Sequence, residues 1–244
     1  MVMEKVGLIY EDDYILVLNK PSGMVVNISQ TTSPKETLQA YLQVKLAKEL
    51  AAGANPAREG DGVETDNFYN RAGLVHRLDK ETSGIIIVAK DKLTFANLQA
   101  QFKSRGVEKE YVALVFGKLA EERIEINAPI GRNPRQRTKM AVTEGGKASV
   151  TVVKRGEERL VEGQIMTLVH VFPKTGRTHQ IRIHLAAMGN PVAGDDLYAG
   201  KKRSIFSRKI FGGLMLHAHK ISFTHPHTGE RVSFEAELPG EFNA

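Results

Sequence analysis

Cysteine is absent from this chain of 244 residues. Without it the protein cannot form disulfides, thiolate metal sites or a cysteine nucleophile, and such a composition suits a reducing cytoplasm. The sequence also lacks an apolar run of membrane-spanning length and the basic-then-apolar start of a secretory signal. The phosphate-binding loop, the dinucleotide fingerprint and the nucleophile elbow of serine hydrolases are missing as well. We therefore expect a cytoplasmic protein without membrane contact.

Acidic residues are outnumbered by basic ones, 28 against 34, which gives a formal net charge of +6. Clustered cations bind phosphate groups without reading the base sequence. One cluster alone is equally compatible with a solvated loop, but three together favour a nucleic acid as the partner. The three clusters, all expected in loops, are Arg132, Arg135, Arg137 and Lys139; Lys201, Lys202, Arg203, Arg208 and Lys209; and Lys174, Arg177 and Arg182.

Short runs of β-branched and aromatic residues outnumber helical patterns, and turn residues separate them closely. Helices are predicted after a capping box at 33–36, after Asp91 and after Thr178. The pattern predicts an α+β fold with a largely antiparallel or mixed sheet and flanking helices. The predicted strands are 7–10, 14–19, 85–89, 111–116, 214–224 and 232–238, of which the last two form a hairpin.

Residues 51–70 are polar, rich in glycine and acidic side chains, and show little periodicity. Helix and strand patterns resume on both sides of this stretch. We therefore predict a mobile insertion loop inside a single domain that covers residues 1–244.

Asp79 is the first candidate for chemistry. Arg77 and Asp79 lie two residues apart in a polar stretch that directly precedes the apolar run 85–88. A charged pair beside a buried strand is costly unless partners or a substrate compensate it. On this segment alone, a surface pair that caps a turn explains the pattern equally well.

Two further segments are dense in polar residues. Lys109 and Tyr111 share one face at the start of a predicted strand. Residues 173–182 form a turn that leads into a helix, with backbone N–H groups and arginines suited to a phosphate or carboxylate. Arg182 lies beside the apolar positions of that helix and needs a carboxylate partner, for which Asp79 is the best unassigned candidate.

Four histidines, at 217, 219, 225 and 227, have a spacing that can suit a metal ion. The first two lie in a predicted strand, the other two in a tight turn, and no cysteine or obvious carboxylate ligand is near. A structural, hydrogen-bonded role is favoured over a metal site.

Five segments, in this order along the chain, resemble the RluA-type RNA pseudouridine synthases. His76 before Arg77 favours this branch over the small-subunit-type synthases, which usually carry glycine there. Asn27 stands where relatives often have histidine, and we interpret it as tolerable variation. The segments are 19–23, 76–90, 109–117, 173–184 with Gly194, Asp195 and Tyr198, and 216–218 with His225 and Pro226.

The resemblance implies a pseudouridine synthase fold that converts specific uridines of structured ribosomal or transfer RNA to pseudouridine, without metal or organic cofactor. It implies that Asp79 is the essential carboxylate, acting at the ribose as nucleophile or as base. Tyr111 would lie against the uracil and assist proton removal from carbon 5. Arg182 would pair with Asp79 and keep it ionised.

The same resemblance assigns contacts with the RNA. Arg77 would fill or brace the gap left by the flipped base, and Ile181 or Ile183 would wall the pocket. Further RNA-binding residues are expected at His76, Lys109, Lys174 and Arg177. Because the first motif begins near the N-terminus, we expect a catalytic domain without the accessory RNA-binding domain of many relatives. No exposed apolar helix seam stands out in the sequence, so we expect a monomer.

Two other classes of function stay open on sequence grounds. One is an RNA-binding protein that keeps the fold without activity, against which intact Asp79, Tyr111 and Arg182 argue. The other is a hydrolase or glycosidase that uses Asp79 and releases uracil or cleaves RNA.

Overall fold

The structure, a computed structural model, describes residues 6–28, 37–53 and 63–243. Within these ranges it has eleven strands and five α-helices. In chain order they are β1 (Gly7–Glu11), β2 (Ile15–Lys20), α1 (Leu38–Gly53), α2 (Val63–Asn70), β3 (Ser83–Ala89), α3 (Lys92–Lys103), β4 (Glu108–Phe116), β5 (Arg123–Asn127), β6 (Ile130–Arg132), β7 (Met140–Val142), β8 (Val150–Val161), β9 (Gln164–Pro173), α4 (Gln180–Ala187), α5 (Lys201–Phe211), β10 (Leu216–Thr224) and β11 (Arg231–Glu235), followed by a 3-10 turn at Gly240–Asn243.

The chain divides into two compact units. Unit 1 comprises residues 1–107 and 221–236, and unit 2 comprises residues 108–220 and 237–244. Each has a hydrophobic core of its own. The prediction of one catalytic domain over 1–244 stays a prediction.

Unit 1 is built around β3, all seven residues of which are buried. β1, β2 and β3 pair antiparallel in that order, the end of β10 lies on the other side of β3, and β11 pairs with β10. The register of β2 and β3 sets Lys20 opposite Gly84. The buried strand that the run at 85–88 predicts is therefore confirmed, and its first residues emerge from the polar segment that contains Asp79.

Helix α3 begins as its sequence predicts. The Asp91 carboxylate accepts a hydrogen bond from the Thr94 N–H at 2.9 Å, and Phe95 and Leu98 face the core of unit 1. An aspartate at this position satisfies one of the amides that a helix N-terminus leaves without an intrahelical partner.

Between 51 and 70 the structure differs from the predicted loop. α1 ends at Gly53, near which the sequence also predicts the end of this helix, but Val63–Asn70 form a further helix, α2, inside the predicted loop. In α2 the ring of Phe68 is 4% exposed and packs against Phe95 with 5.7 Å between centroids. A single aromatic anchor in a polar octapeptide gives almost no periodic signal, which explains why the pattern indicated a loop. Residues 54–62 and the predicted capping box at 33–36 lie outside the described residues.

In unit 2 the neighbouring strands follow the order β10, β4, β9, β8 and β5. The pairs β4–β9, β8–β9 and β5–β8 are antiparallel, and β6 and β7 form a separate hairpin. Every one of the central residues Val112–Phe116 of β4 is buried. Together with unit 1, these elements confirm the predicted α+β class with a largely antiparallel or mixed sheet.

The basic segment 201–209 is a helix and not the expected loop. Its inner face carries Ser204, Ser207 and Phe211, which are buried, while its lysines and arginines are exposed. Small serines at i and i+3 allow close packing but add no apolar periodicity. The hydrophobic pattern of the sequence therefore does not indicate a helix here.

Candidate active site

Asp79 lies in the loop that leads into β3, and the side chain of a buried lysine, Lys20, donates a hydrogen bond to the backbone of this loop. The Lys20 side chain is fully buried. Its ammonium donates hydrogen bonds to the carbonyl oxygens of Pro21, Met24 and Lys80 at 2.9, 3.0 and 3.1 Å. The last of these acceptors is the residue directly after Asp79, so Lys20 joins the turn after β2 to the backbone of the Asp79 loop.

Further hydrogen bonds hold the same two segments together. The Gly23 N–H donates to the Lys80 carbonyl at 2.9 Å, and the Ser22 hydroxyl donates to the Glu81 carbonyl at 2.7 Å. Within the loop, the Thr82 N–H donates to the Asp79 carbonyl at 3.2 Å. Asp79 itself is half-buried. The backbone that carries this half-buried carboxylate is thus fixed by hydrogen bonds to the turn after β2.

Burial lowers the pKa of the Lys20 ammonium to about 7, while the charges of Glu81 and Asp79 act to raise it. In the unfolded chain this lysine has its ordinary pKa of 10.5. Between pH 7 and 10.5 the unfolded state therefore binds more protons than the folded state. The contribution of Lys20 to the free energy of unfolding consequently rises with pH across that window.

Lys20→Met is expected to remove this pH dependence. The difference in free energy of unfolding, wild type minus variant, should increase between pH 7.5 and 9.5 by about 1.4 kcal/mol per pH unit. Urea unfolding at a series of pH values measures it. Lys118→Met is the matched control, because Lys118 is 62% exposed in a surface pair with Glu158. A constant difference for Lys20→Met would mean that folding leaves the pKa of Lys20 unchanged.

The two residues before Leu78 have different surroundings. His76 is half-buried, its Nε2 accepts the Ile87 N–H at 2.9 Å, and its ring stacks on Phe102 with 4.8 Å between centroids. These contacts fix the start of the loop against β3 and α3, and a direct contact of His76 with RNA stays a prediction. Arg77 is exposed.

Arg77 has a second guanidinium near it. Burial, and to a smaller extent the charge of Arg77, lowers the pKa of the Arg71 guanidinium. The guanidinium of Arg77 is exposed, and an exposed cation is suited to a phosphate group.

In unit 2, Lys109 and Tyr111 lie two residues apart near the start of β4, as predicted. Tyr111 is half-buried and packs against the core that contains Ile181. Burial, and then the charge of the exposed Lys174, lowers the pKa of Lys109. The contacts of these two lysines with RNA stay predictions.

Arg182 points from α4 into a buried ion pair with Asp195. Its Nε and Nη2 donate to the two carboxylate oxygens of Asp195, both at 2.8 Å, and the two side chains are 3% and 0% exposed. Asp195 also accepts the amides of Leu197 and Tyr198 at 2.9 and 3.0 Å. The Tyr198 ring lies 5.3 Å from the Arg182 guanidinium carbon. This geometry fixes the orientation of Arg182.

Gly194 allows the turn that delivers Asp195. Its φ of +76° is in the left-handed region, and a Cβ there would lie 1.7 Å from the Gly213 carbonyl oxygen. Only glycine fits this position.

Asp195 is the partner of Arg182 that sequence reasoning overlooked, although it belongs to one of the five segments that carry the family resemblance. The pairing of Asp79, in unit 1, with Arg182, in unit 2, stays a prediction. Arg182 is 2% exposed, so its assignment to a cationic surface cluster was wrong. Asp195 lies 13 residues after Arg182 and outside α4. No helix or strand periodicity in the sequence therefore indicates that the two residues are partners.

The turn before α4 is organised by Gln180 and not by the predicted cap Thr178. The Gln180 side-chain oxygen accepts the Thr175 hydroxyl at 2.7 Å and the Arg177 N–H at 3.0 Å. His179 precedes the helix with a φ of 54° and makes no capping bond through its side chain.

The remaining predicted site residues of this region differ in exposure. Ile181 and Ile183 are 6% and 4% exposed, whereas Arg177 is half-buried and donates from Nε to the Ala148 carbonyl at 3.3 Å. Their predicted contacts with RNA stay predictions.

The histidines near the C-terminus have internal partners. His225 Nε2 lies 3.0 Å from an Asp12 carboxylate oxygen, and its Nδ1 accepts the amides of His227 and Thr228 at 3.3 and 3.2 Å. These contacts fit the predicted structural role. No group of three or more metal-ligating side chains is found within residues 6–28, 37–53 and 63–243.

The model of the RNA pseudouridylate synthase family matches residues 14–187, which is more than half of the chain. The chain belongs to this family. The matched range contains Asp79, Tyr111 and Arg182. As a family member the protein is an isomerase that converts uridine in RNA to pseudouridine, and the resemblance carried by the five segments is confirmed.

Individual relatives agree with this membership. The chain is 39% identical to an uncharacterised RNA pseudouridine synthase of Bacillus subtilis, YlyB, over 94% of this chain and 68% of the relative. It is 36% identical to the ribosomal large subunit pseudouridine synthase D of Nitrosomonas europaea, over 97% of this chain and 63% of the relative. The chain thus spans about two thirds of the length of these RNA pseudouridylate synthases.

A solved structure of the same family has a similar fold. Human RNA pseudouridylate synthase domain containing 1 superposes with a TM-score of 0.71 at 29% identity, over 97% of this chain and 85% of that one. In the part of the chain that the structure describes, no helix is long and apolar enough to cross a membrane.

Proposed function

We propose that this pseudouridine synthase acts on uridines of large-subunit ribosomal RNA, with Asp79 as its catalytic carboxylate. The observation that carries the assignment is the Asp79 loop, which is fixed to the turn after β2 through the buried Lys20. The relative from Nitrosomonas europaea, named as a ribosomal large subunit synthase, supports the choice of RNA. We place the protein in the cytoplasm as a monomer.

In the proposed reaction, the target nucleotide is flipped out of the RNA so that the enzyme reaches its ribose and base. Asp79 acts at the ribose, as nucleophile or as base. The bond between carbon 1′ and N1 of uracil breaks, the base turns, and a bond from carbon 1′ to carbon 5 forms. The proton on carbon 5 leaves and N1 gains one. The reaction is redox-neutral and uses no second substrate, so its chemistry requires no cofactor.

The other residues receive supporting roles. Tyr111 lies against the uracil and assists removal of the carbon 5 proton. Arg182, oriented by Asp195, stabilises Asp79, and Ile181 or Ile183 walls the pocket. Arg77 occupies the gap left by the flipped base.

Four residues act on the RNA backbone or shape the site around it. Three of them are cations, whose contacts with phosphates are independent of the base sequence. The three cations are Lys109, Lys174 and Arg177, and the fourth residue is His76.

Tyr111→Phe tests the role of the hydroxyl. It keeps the ring and therefore the packing against the core, but removes the group that assists proton transfer. We expect the single-turnover rate to fall by about 100-fold or more, with RNA affinity unchanged. Tyr69→Phe is the matched control, because Tyr69 is 55% exposed. An unchanged rate for Tyr111→Phe would remove the hydroxyl from the mechanism.

The choice of RNA is tested with unmodified transcripts of large-subunit ribosomal RNA and of transfer RNA, each labelled with tritium at carbon 5 of uracil. Isomerisation displaces that tritium into water. We expect release from the ribosomal transcript at a discrete number of uridines. Release from transfer RNA alone would keep the isomerase and overturn the proposed substrate.

A further inference from the structure

A groove with a volume of about 360 Å³ opens on the surface of unit 2. The β6–β7 hairpin forms one side, the last turns of α4 form the floor, and the turn after Asp195 closes the other side. A volume of this size is at the lower end of the range for small-molecule sites and accommodates one nucleobase. The side chains of the floor and walls include Met140, Ile183, Ala186, Ala187, Leu197 and Tyr198.

One wall of the groove is shared with Arg182. The Tyr198 ring lines the groove and also lies 5.3 Å from the Arg182 guanidinium carbon. The Tyr198 hydroxyl is held by His179 Nδ1 at 2.9 Å and accepts the Met140 N–H at 3.4 Å. The aromatic wall is therefore fixed in place, and the same residue contacts both the groove and the arginine that we assign to the reaction.

The rim of the groove is cationic. Residues 132–139 contain four lysines and arginines and no acidic residue. Arg132, Arg135 and Arg137 are exposed. The Asn133 side-chain oxygen accepts the amide of Arg135 at 2.9 Å, which gives this loop a defined turn.

The same loop is tied to the opposite wall. The Lys139 ammonium donates to the Leu197 carbonyl at 2.9 Å. Gln136 lines the groove. Its side-chain amide can both donate and accept hydrogen bonds. The loop thus brings arginines and an amide to the edge of an apolar floor.

We propose that this groove binds the base of a second unstacked nucleotide of the RNA substrate, close in sequence to the target uridine. An apolar floor and a fixed aromatic wall suit the faces of a base, the amide suits its polar edge, and the exposed arginines suit the adjoining phosphates. The positive charge of the rim attracts an anionic partner. Of the two anionic candidates, RNA fits better than an acidic peptide, because a peptide has no planar base for the floor. The inference rests on the proposed function and adds a recognition site to it.

A tryptophan reporter tests whether a base enters the groove. The chain has no tryptophan, so a single one is a unique fluorophore. Leu197→Trp places it in the groove wall at a residue that is 38% exposed, and Leu93→Trp, at a residue 77% exposed on α3, is the control. On titration with unmodified large-subunit ribosomal RNA, emission from Leu197→Trp should fall and saturate because a stacked base quenches indole. Emission from Leu93→Trp should stay constant.

A filling variant tests whether the groove contributes to substrate binding. Ala187→Phe puts a ring over the floor from an exposed position at the end of α4, and Ala100→Phe makes the same change at an exposed position of α3. We expect Ala187→Phe to raise the KM for the RNA about tenfold, the loss of one base-stacking contact, with a smaller effect on kcat. Ala100→Phe should leave both constants unchanged.

The outcomes of these experiments distinguish failure of the proposed groove site from failure of the proposed function. Saturable quenching together with the raised KM supports the proposal. Wild-type isomerisation without quenching of Leu197→Trp, or with a wild-type KM for Ala187→Phe, overturns the groove and leaves the proposed function standing. Quenching without any isomerisation by the wild-type protein supports the groove and contradicts the proposed function. Quenching by polyglutamate but not by RNA overturns the assignment of the groove to a nucleotide.

Discussion

Replacing Asp79 with asparagine is expected to abolish isomerisation while leaving RNA binding intact. Asparagine has almost the same size, so the loop anchored by Lys20 keeps its backbone. It cannot act as a nucleophile or as a base at the ribose, however. Loss of an essential carboxylate should lower the single-turnover rate by at least about 1,000-fold. Tritium release from labelled RNA measures the rate, and filter binding measures the affinity.

The matched control is Asp13→Asn, which makes the same chemical change at an exposed position of unit 1. It should isomerise RNA at the wild-type rate. Retention of more than about a tenth of the wild-type rate by Asp79→Asn would contradict the assignment, because a general acid or base alone contributes about 100-fold or more. Loss of binding together with activity would instead point to an altered loop.

Asp195→Ala should produce the largest loss of stability among the substitutions considered. The variant leaves the buried Arg182 guanidinium without the carboxylate that now binds two of its nitrogens, and it leaves the amides of Leu197 and Tyr198 without their acceptor. Breaking a buried ion pair by removing one partner costs about 3–5 kcal/mol. We expect the free energy of unfolding, measured by urea denaturation, to fall by that amount, and activity to be lost with it.

The next residue provides a control for Asp195. Asp196 pairs with Arg208 on the surface, where the two side chains are 53% and 67% exposed. Surface pairs contribute about 0–1 kcal/mol, so Asp196→Ala should change the free energy of unfolding by no more than that. Equal effects of the two alanine variants would show that the Arg182–Asp195 pair is not a stabilising element.

Elements with a strong local signal could be predicted from the sequence. The run Ile85–Val88 is apolar and β-branched, and it forms a strand that is buried throughout. Asp91 predicts the start of α3 because the capping aspartate and the apolar residues of the helix lie within one short segment. By contrast, α2 depends on a tertiary contact between Phe68 and Phe95, which a local pattern does not contain.

The candidate site could be predicted only in part for the same reason. Asp79, Tyr111 and Arg182 stand in recognisable segments, so their identity follows from the sequence. The partner of Arg182 depends on how the turn at Gly194 brings Asp195 back to α4, which is a tertiary arrangement. Lys20 is recognisable as part of a motif, but its full burial and its three carbonyl partners appear only in the folded chain.

The protein converts uridine within RNA to an isomer of the same elemental composition that stays in the chain. The most direct measurement incubates unmodified large-subunit ribosomal RNA with the wild-type protein, digests the RNA to nucleosides, and analyses them by liquid chromatography with mass spectrometry. We expect a new nucleoside with the mass of uridine and a different retention time, and no free uracil. Free uracil with an abasic ribose, or cleaved RNA, would contradict this expectation and identify a hydrolase.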